Sequence, residues 1–184
     1  HLTRDAAGVY GFALDPLPPV YWLSNEGLAR HDAAVADFAK AIKAKAGDGP
    51  LALTHQLMTT IHTGFRLERG GGKDGATAAE TLAAGAGGPK DLAHLFIAAA
   101  RAAGIPARFA TGYLFHPGIT IDGMHCWAEA WFEHLGWVGS DLAHSISPTE
   151  HYVRVAIGRD NGEAAPIAGL PADVAKIEVT VAAI

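Results

Sequence analysis

The chain has 184 residues, of which 49% are hydrophobic and 18% charged, and its formal net charge is −5. This length suits one domain with a sizeable core, and this composition argues against disorder. The sequence contains neither an apolar run of the roughly 18 residues that span a membrane nor a block of basic residues. Neither a membrane nor a nucleic acid is therefore expected as a partner.

A single cysteine, Cys126, excludes both an internal disulfide and a multi-cysteine zinc site. The first residues lack the apolar stretch of a signal peptide. These features predict a cytoplasmic protein without a cofactor, and they specify no oligomeric state.

Residues 1–31 contain three prolines and are predicted to form an extended lead-in, with the core domain at residues 32–184. Asp32 can cap a first helix of about 14 residues, and a second helix follows the turn at residues 47–50. The apolar positions of the second helix share one stripe: Leu53, Leu57, Ile61 and Phe65. His55 and His62 share a face beside this stripe and are interpreted as polar neighbours of the core.

Thr77 and Glu80 have the spacing of a capping box that opens a short helix. A glycine-rich turn then leads into a long apolar helix from about Pro89 to Ala103, which Gly104 and Pro106 end. Five strands are predicted after it: residues 108–115, 124–133, 136–141, 151–157 and 176–181. Helices followed by strands predict an α+β domain with a central apolar helix on a largely antiparallel sheet.

Residues 87–94 resemble the bacterial transglutaminase-like pattern Gly-x-Cys-x-Asp-x-Ala-His, with Pro89 in the place of the cysteine. Four later segments are similar to further blocks of that family: residues 105–113, 125–129, 136–141 and 152–160. The resemblance extends over residues 20–170. It implies a papain-like fold, with a cysteine at a helix N-terminus and a histidine–aspartate pair on neighbouring strands. His125 and Asp141 occupy the positions of that pair.

The chemistry of such a site follows from its groups. A helix N-terminus lowers the pKa of a thiol and offers N–H groups to an oxyanion. A histidine accepts the thiol proton, and an aspartate fixes its tautomer. A hairpin would place His125 and Asp141 side by side on one face. Their alternative role is that of a buried polar pair without chemistry, and both alternatives remain open.

Pro89 marks a vestigial nucleophile position. Proline suits the first turn of a helix, but it supplies neither a nucleophile nor a backbone N–H. Loss of one oxyanion donor alone costs about 10²–10³ in rate. Cys126 does not replace the missing thiol, because strand neighbours alternate and Cys126 should face away from His125. It is predicted to be a buried structural cysteine, so cysteine catalysis is absent.

Three further residues are possible cleft residues: Lys90, a solvated charge; Asp91, which complements the helix dipole; and Trp127, a wall residue. His94 is expected to pack or hydrogen-bond, and Ser145 and Ser147 are interpreted as loop residues. Five residues are candidates to converge on a metal: His94, His116, His125, Asp141 and His144. They show no recognised ligand spacing, so no metal is predicted.

Two functional hypotheses follow, with a structural assembly module as a third. The first is a non-catalytic cleft that binds a peptide, a protein side chain or a small molecule. The second is an enzyme in which His125, oriented by Asp141, acts as general base in a non-covalent hydrolysis, elimination, isomerisation or cyclisation.

Overall fold

A computed structural model of the chain describes residues 17–68, 75–115 and 123–165. After a short 3₁₀ helix at Pro19–Leu23, the helices are α1 (Ala33–Lys43), α2 (Pro50–Gly64), α3 (Ala78–Ala84) and α4 (Pro89–Ala102). The strands are β1 (Arg66–Leu67), β2 (Ala86–Gly87), β3 (Ala107–Leu114), β4 (His125–Phe132), β5 (Gly136–Ser140) and β6 (Tyr152–Gly158). The predicted α+β class is confirmed.

The main sheet has four strands in the order β5-β4-β3-β6, and every pairing in it is antiparallel. A tight hairpin joins β4 and β5, with Phe132 opposite Gly136 and Ala128 opposite Ser140. A register shift in the β3–β6 pairing falls beside Gly112. A Cβ at this glycine would lie 1.9 Å from the Val153 carbonyl oxygen, so β6 can approach β3 there only because the side chain is absent.

Helix α4 forms the centre of the domain, as predicted. Every residue from Asp91 to Arg101 is buried, and the helix packs on one face of the main sheet. Alternation along β4 directs its apolar residues to this face: Cys126, Ala128, Ala130 and Phe132. The buried helix α4 and the apolar face of the main sheet therefore form one core.

The opposite face of the sheet carries a polar and aromatic layer. Glu129 accepts from Arg108 Nε at 2.7 Å, from Arg154 at 3.0 Å and from Trp127 Nε1 at 3.2 Å. The Arg108 guanidinium also lies 3.8 Å from the centre of the Trp137 ring. Burial of Arg108 and Glu129 is possible because each charge is paired and hydrogen-bonded.

The predicted helix caps are present. The Asp32 side chain accepts from Val35 N, although α1 has 11 residues rather than the expected 14 or so. Thr77 and Glu80 form the expected reciprocal capping box at α3. The first four predicted strands match β3 to β6 within about one or two residues. The fifth predicted strand, residues 176–181, lies outside the described residues.

The described part of the predicted lead-in, residues 17–31, packs against the core domain. Trp22 and Ala29 are 3% and 0% exposed. The Arg101 side chain on α4 donates to the carbonyl oxygens of both residues. Contacts with the core therefore begin well before residue 32.

None of the described helices is long and apolar enough to span a membrane.

Candidate functional site

The first turn of α4 is closed by its own capping bonds and lacks the nucleophile. Gly88 is the N-cap and Pro89 is the first helical residue. The buried Asp91 carboxylate accepts from Gly88 N at 2.9 Å. A Cβ at Gly87 would lie 2.8 Å from the Asp91 Cβ, so this turn requires a glycine. Since Pro89 has no N–H, it offers neither an attacking atom nor a donor.

His125 and Asp141 are in direct contact on the polar face of the sheet. Asp141 directly follows β5, and His125 begins the neighbouring strand β4. His125 Nε2 lies 2.6 Å from Asp141 Oδ2. The His125 side chain retains 12% exposure, whereas Asp141 has none. The carboxylate can therefore fix the orientation and tautomer of an imidazole that solvent still reaches.

Asp141 holds more groups than the sequence predicted. His144 Nδ1 lies 2.8 Å from Oδ2, and the Tyr152 hydroxyl donates to the same oxygen at 2.7 Å. The N–H groups of Ala143 and His144 donate to Oδ1. Burial raises the pKa of Asp141, but the bonds from His125, His144 and Tyr152 outweigh it and hold the pKa below its usual range. The carboxylate is therefore ionised at neutral pH.

Tyr152 is the third side chain that contacts the Asp141 carboxylate. Burial and the hydrogen bond to Asp141 raise the pKa of Tyr152 above its usual range, so the phenol stays protonated and acts as a donor. Its ring stands edge-on to Trp127, with centroids 5.4 Å apart. The phenol and the indole thus form one wall beside the two histidines.

Cys126 lies next to His125, but its side chain belongs to the apolar face that packs on α4. Burial, together with the charges of Asp141 and Asp91, raises the pKa of the thiol to about 12. Lys90 opposes this shift. The thiol is therefore protonated and inert at neutral pH.

The remaining predicted residues are distributed around this cluster. Trp127 is 2% exposed and forms a wall beside His125, with ring centroids 6.4 Å apart. Lys90 is partly buried, and its charge acts on the Cys126 thiol. Asp91 is buried and caps α4. Ser145, with φ of 56°, lies in the turn after Asp141.

Two histidines outside the cluster have defined structural partners. His94 is 1% exposed and accepts from Asn161 N through Nε2 at 3.1 Å, which matches the expected hydrogen-bonding role. His62 Nδ1 lies 3.0 Å from the Leu142 carbonyl oxygen, which attaches α2 to the turn behind Asp141. His55 is exposed, and His116 lies outside the described residues.

Three of the five candidate metal ligands converge, although the sequence predicted no metal. One ligand atom from each of His125, Asp141 and His144 lies within 4.8 Å of the others. The sequence signal that was missed is Asp141-x-x-His144, in which a turn directly after a strand returns the histidine to the carboxylate. Tyr152 was missed because its approach depends on the β3–β6 register.

The chain belongs to the transglutaminase-like superfamily, because residues 36–142, more than half of its length, match that family. The predicted transglutaminase-like, papain-like core is thereby confirmed.

Curated relatives include an uncharacterized protein of Mycobacterium leprae, 39% identical over 44% of this chain and 30% of the relative. Another, from Mycobacterium tuberculosis, is 32% identical over 62% of this chain and 40% of the relative. The chain thus spans 30 to 40% of the length of these relatives.

Solved structures show the same fold. A proposed cysteine protease from Cytophaga hutchinsonii superimposes with a TM-score of 0.69 and 27% identity, covering 79% of this chain and 48% of the other. The periplasmic domain of TgpA from Pseudomonas aeruginosa superimposes with a TM-score of 0.56 and 21% identity, covering 72% of this chain and 49% of the other. At this second level of identity the similarity shows the fold alone.

Proposed function

We propose that this domain uses its transglutaminase-like cleft to bind a peptide, a protein side chain or a small molecule, without cysteine-based covalent chemistry. The observation that carries the proposal is Pro89 at the first position of α4, where the family pattern has its nucleophile. The neighbouring thiol cannot substitute, because the pKa of Cys126 is raised to about 12. No route to an acyl-enzyme through a thiolate then remains in the site.

The cleft residues support a polar ligand. His125 and the half-exposed His144 offer ring nitrogens to it, and the Tyr152 ring, which is backed by the buried Trp127, supplies aromatic surface. The similarity to a proposed cysteine protease favours a peptide-like ligand over other classes. Lys90, in the first turn of α4, is proposed as a further cleft residue, and the buried Asp91 supports that turn as its cap.

The test is a screen of peptides and small metabolites by thermal shift, followed by calorimetry of each hit on the intact chain. A genuine cleft ligand should bind His125→Ala about 5- to 160-fold more weakly, since loss of a polar partner costs about 1 to 3 kcal/mol. The control is His134→Ala, because His134 is an exposed residue of the β4–β5 hairpin. Turnover of an amide or ester that disappears in His125→Ala would contradict a purely binding role.

The arrangement around Asp141 favours a second function, non-covalent acid–base catalysis. The fully buried Asp141 carboxylate orients the solvent-accessible His125 imidazole, which is the arrangement that a histidine general base requires. His125 would then abstract a proton from water or from an acidic substrate, in a hydrolysis, elimination, isomerisation or cyclisation. The measurement is the rate of product formation against pH for wild type and His125→Ala. Equal rates in the two proteins would remove this alternative.

The setting of the proposed function is the cytoplasm, without a nucleic-acid partner. The net charge of −5 disfavours phosphate backbones, and the single cysteine suits a reducing compartment. Fractionation of cells that express the full-length protein at its native level tests the location. Recovery in the periplasm, as the TgpA domain's description indicates for that protein, would overturn it.

A further inference from the structure

We propose that His125, Asp141 and His144 form a binding site for one divalent transition metal ion, such as Zn²⁺. This inference goes beyond the proposed ligand-binding function and does not depend on it. Its basis is the convergence of His125 Nε2, Asp141 Oδ2 and His144 Nδ1 within 4.8 Å of one another. Two imidazole nitrogens and one carboxylate oxygen form a donor set that suits zinc and iron(II).

The side chains must separate by a modest amount to admit an ion. Metal–nitrogen and metal–oxygen bonds of about 2.0–2.2 Å place neighbouring ligand atoms of a tetrahedral site roughly 3.3–3.6 Å apart. The observed distances from Asp141 Oδ2 are 2.6 Å to His125 and 2.8 Å to His144. Both nitrogens would therefore move away from the carboxylate by about 0.5–1 Å. His144 can provide this movement, because half of its side chain is exposed.

One oxygen of the carboxylate is crowded. Asp141 Oδ2 has three side-chain neighbours at hydrogen-bond distance, His125, His144 and Tyr152. A carboxylate oxygen offers two lone pairs, and a cation in place of the two ring protons would relieve this crowding. A metal ion bound to both ring nitrogens would displace the two ring protons that point at Oδ2. The positive ion would then take their place beside the carboxylate. The Tyr152 hydroxyl then remains as the donor to the carboxylate.

The surroundings hold the proposed ligands in place. Asp141 has no exposed surface, and its other oxygen, Oδ1, accepts from the N–H groups of Ala143 and His144. These bonds fix the rotation of the carboxylate and direct Oδ2 towards the imidazoles. Outer-sphere hydrogen bonds of this type orient ligands in established metal sites.

The number of ligands also indicates how the site would work. Three protein ligands leave a position open for water or for a polar group of a ligand, as in catalytic rather than structural zinc sites. The exposed side of His144 places that position towards solvent. The metal would thus give the cleft a Lewis acid in place of the missing thiol.

The test uses the intact chain, stripped with a chelator and dialysed, and titrated with Zn²⁺ by calorimetry at neutral pH. We expect one ion per chain, and Co²⁺ should give the visible absorption of a low-coordinate site. His144→Ala should weaken binding more than about 10-fold and abolish the cobalt spectrum. His134→Ala is the matched control and should bind as wild type, because this exposed histidine lies in the β4–β5 hairpin.

Two results would overturn the proposal. One is no saturable binding by the folded wild-type chain. The other is binding that remains unchanged in both His144→Ala and Asp141→Asn, since the ion would then be held by other residues. Circular dichroism checks that each variant is folded. Because the titration contains no organic ligand, its failure is distinguishable from failure of the proposed binding function.

Discussion

At the scale of single residues, positions 89 and 126 determine whether this site can use a thiol. The helix N-terminus at position 89 favours a thiolate, but a proline occupies it. The one cysteine in the sequence lies on the opposite face of β4 from His125, where burial raises its pKa to about 12. The helix start that would activate a thiol is at position 89, whereas the cysteine is at position 126.

Restoring a cysteine should therefore restore a reactive thiol. We expect Pro89→Cys, made in a Cys126→Ala background, to react with iodoacetamide at neutral pH at least about 100-fold faster than Cys126 in wild type. The physical reason is the partial positive charge at the start of α4. Mass spectrometry of alkylation against time and pH measures both rates. An introduced thiol as slow as Cys126 would show that the start of α4 does not activate a nucleophile.

His94 makes stability depend on pH. Burial lowers its pKa from 6.5 to about 4, and the charge of Asp160 only partly opposes this, while Lys90 and Arg101 reinforce it. Above pH 6.5 the residue is neutral whether the chain is folded or unfolded. Between pH 6.5 and 4 the unfolded chain binds the proton more tightly, so stability falls as pH falls. The expected loss is about 3 kcal/mol across this window.

Urea unfolding at several pH values measures this loss, with His94→Gln as the comparison. Glutamine retains an acceptor for Asn161 N but does not titrate. The variant should show a flatter dependence on pH between 6.5 and 4, whatever its absolute stability. Parallel curves for the two proteins would assign the pH dependence to other groups.

At the scale of elements, the sequence predicted those whose side chains repeat with a clear period or cap. Helix α4 and strand β4 were found from their apolar patterns, and the starts of α1 and α3 from Asp32 and Thr77. The strands β1 and β2 were missed because two residues each are too short to show a period. Their pairing depends on contact between distant segments, which no local pattern encodes.

In the site, too, local patterns were predictable and contacts between distant segments were not. Alternation along β4 separated Cys126 from His125, but the partners of Glu129, two residues further along that strand than Trp127, come from β3 and β6. Those contacts depend on strand order and register, which one sequence does not specify. Tyr152 escaped prediction because the β3–β6 register brings it to Asp141, and His144, named only among five metal candidates, reaches Asp141 through a turn.

The polar layer on β4 should make Glu129 important for stability. Glu129→Ala should lower the free energy of unfolding by about 3 to 5 kcal/mol, because it removes the carboxylate that faces the buried Arg108. Arg154→Ala is the control: that side chain is 33% exposed, and its loss should cost about 1 kcal/mol or less. Urea unfolding measures both values. Similar costs for the two variants would contradict the special role of the buried pair.

At the scale of the whole molecule, one arginine connects segments that are far apart in the sequence. Arg101, at the end of α4, donates to four carbonyl oxygens, those of Trp22, Ala29, Ala107 and Arg159. The residues before α1, the first main strand and the segment after β6 therefore meet at the end of the central helix. Buried carbonyl groups of irregular segments need such donors, and one guanidinium supplies several.

This arrangement predicts the effect of truncation. The chain that begins at residue 32 loses Trp22 and Ala29, which are 3% and 0% exposed, and leaves Arg101 with fewer acceptors. Burial of a large apolar side chain contributes about 1.5–3 kcal/mol. We expect the chain 32–184 to unfold at least 2 kcal/mol or so more easily than the chain 17–184. Urea unfolding of the two proteins gives the difference directly.

A matched variant separates the loss of packing from the loss of anchoring. Trp22→Ala, in the chain 17–184, keeps the backbone carbonyl that Arg101 binds and removes the ring, which packs edge-on against Trp137 with centroids 5.9 Å apart. Its cost should be a large fraction of that of truncation, because Trp22 is the largest buried side chain of residues 17–31. Amide hydrogen exchange should show protection at residues 22 to 29 in wild type. Equal stability of the chains 17–184 and 32–184, with fast exchange in that segment, would show that residues 17–31 are a lead-in outside the folded domain.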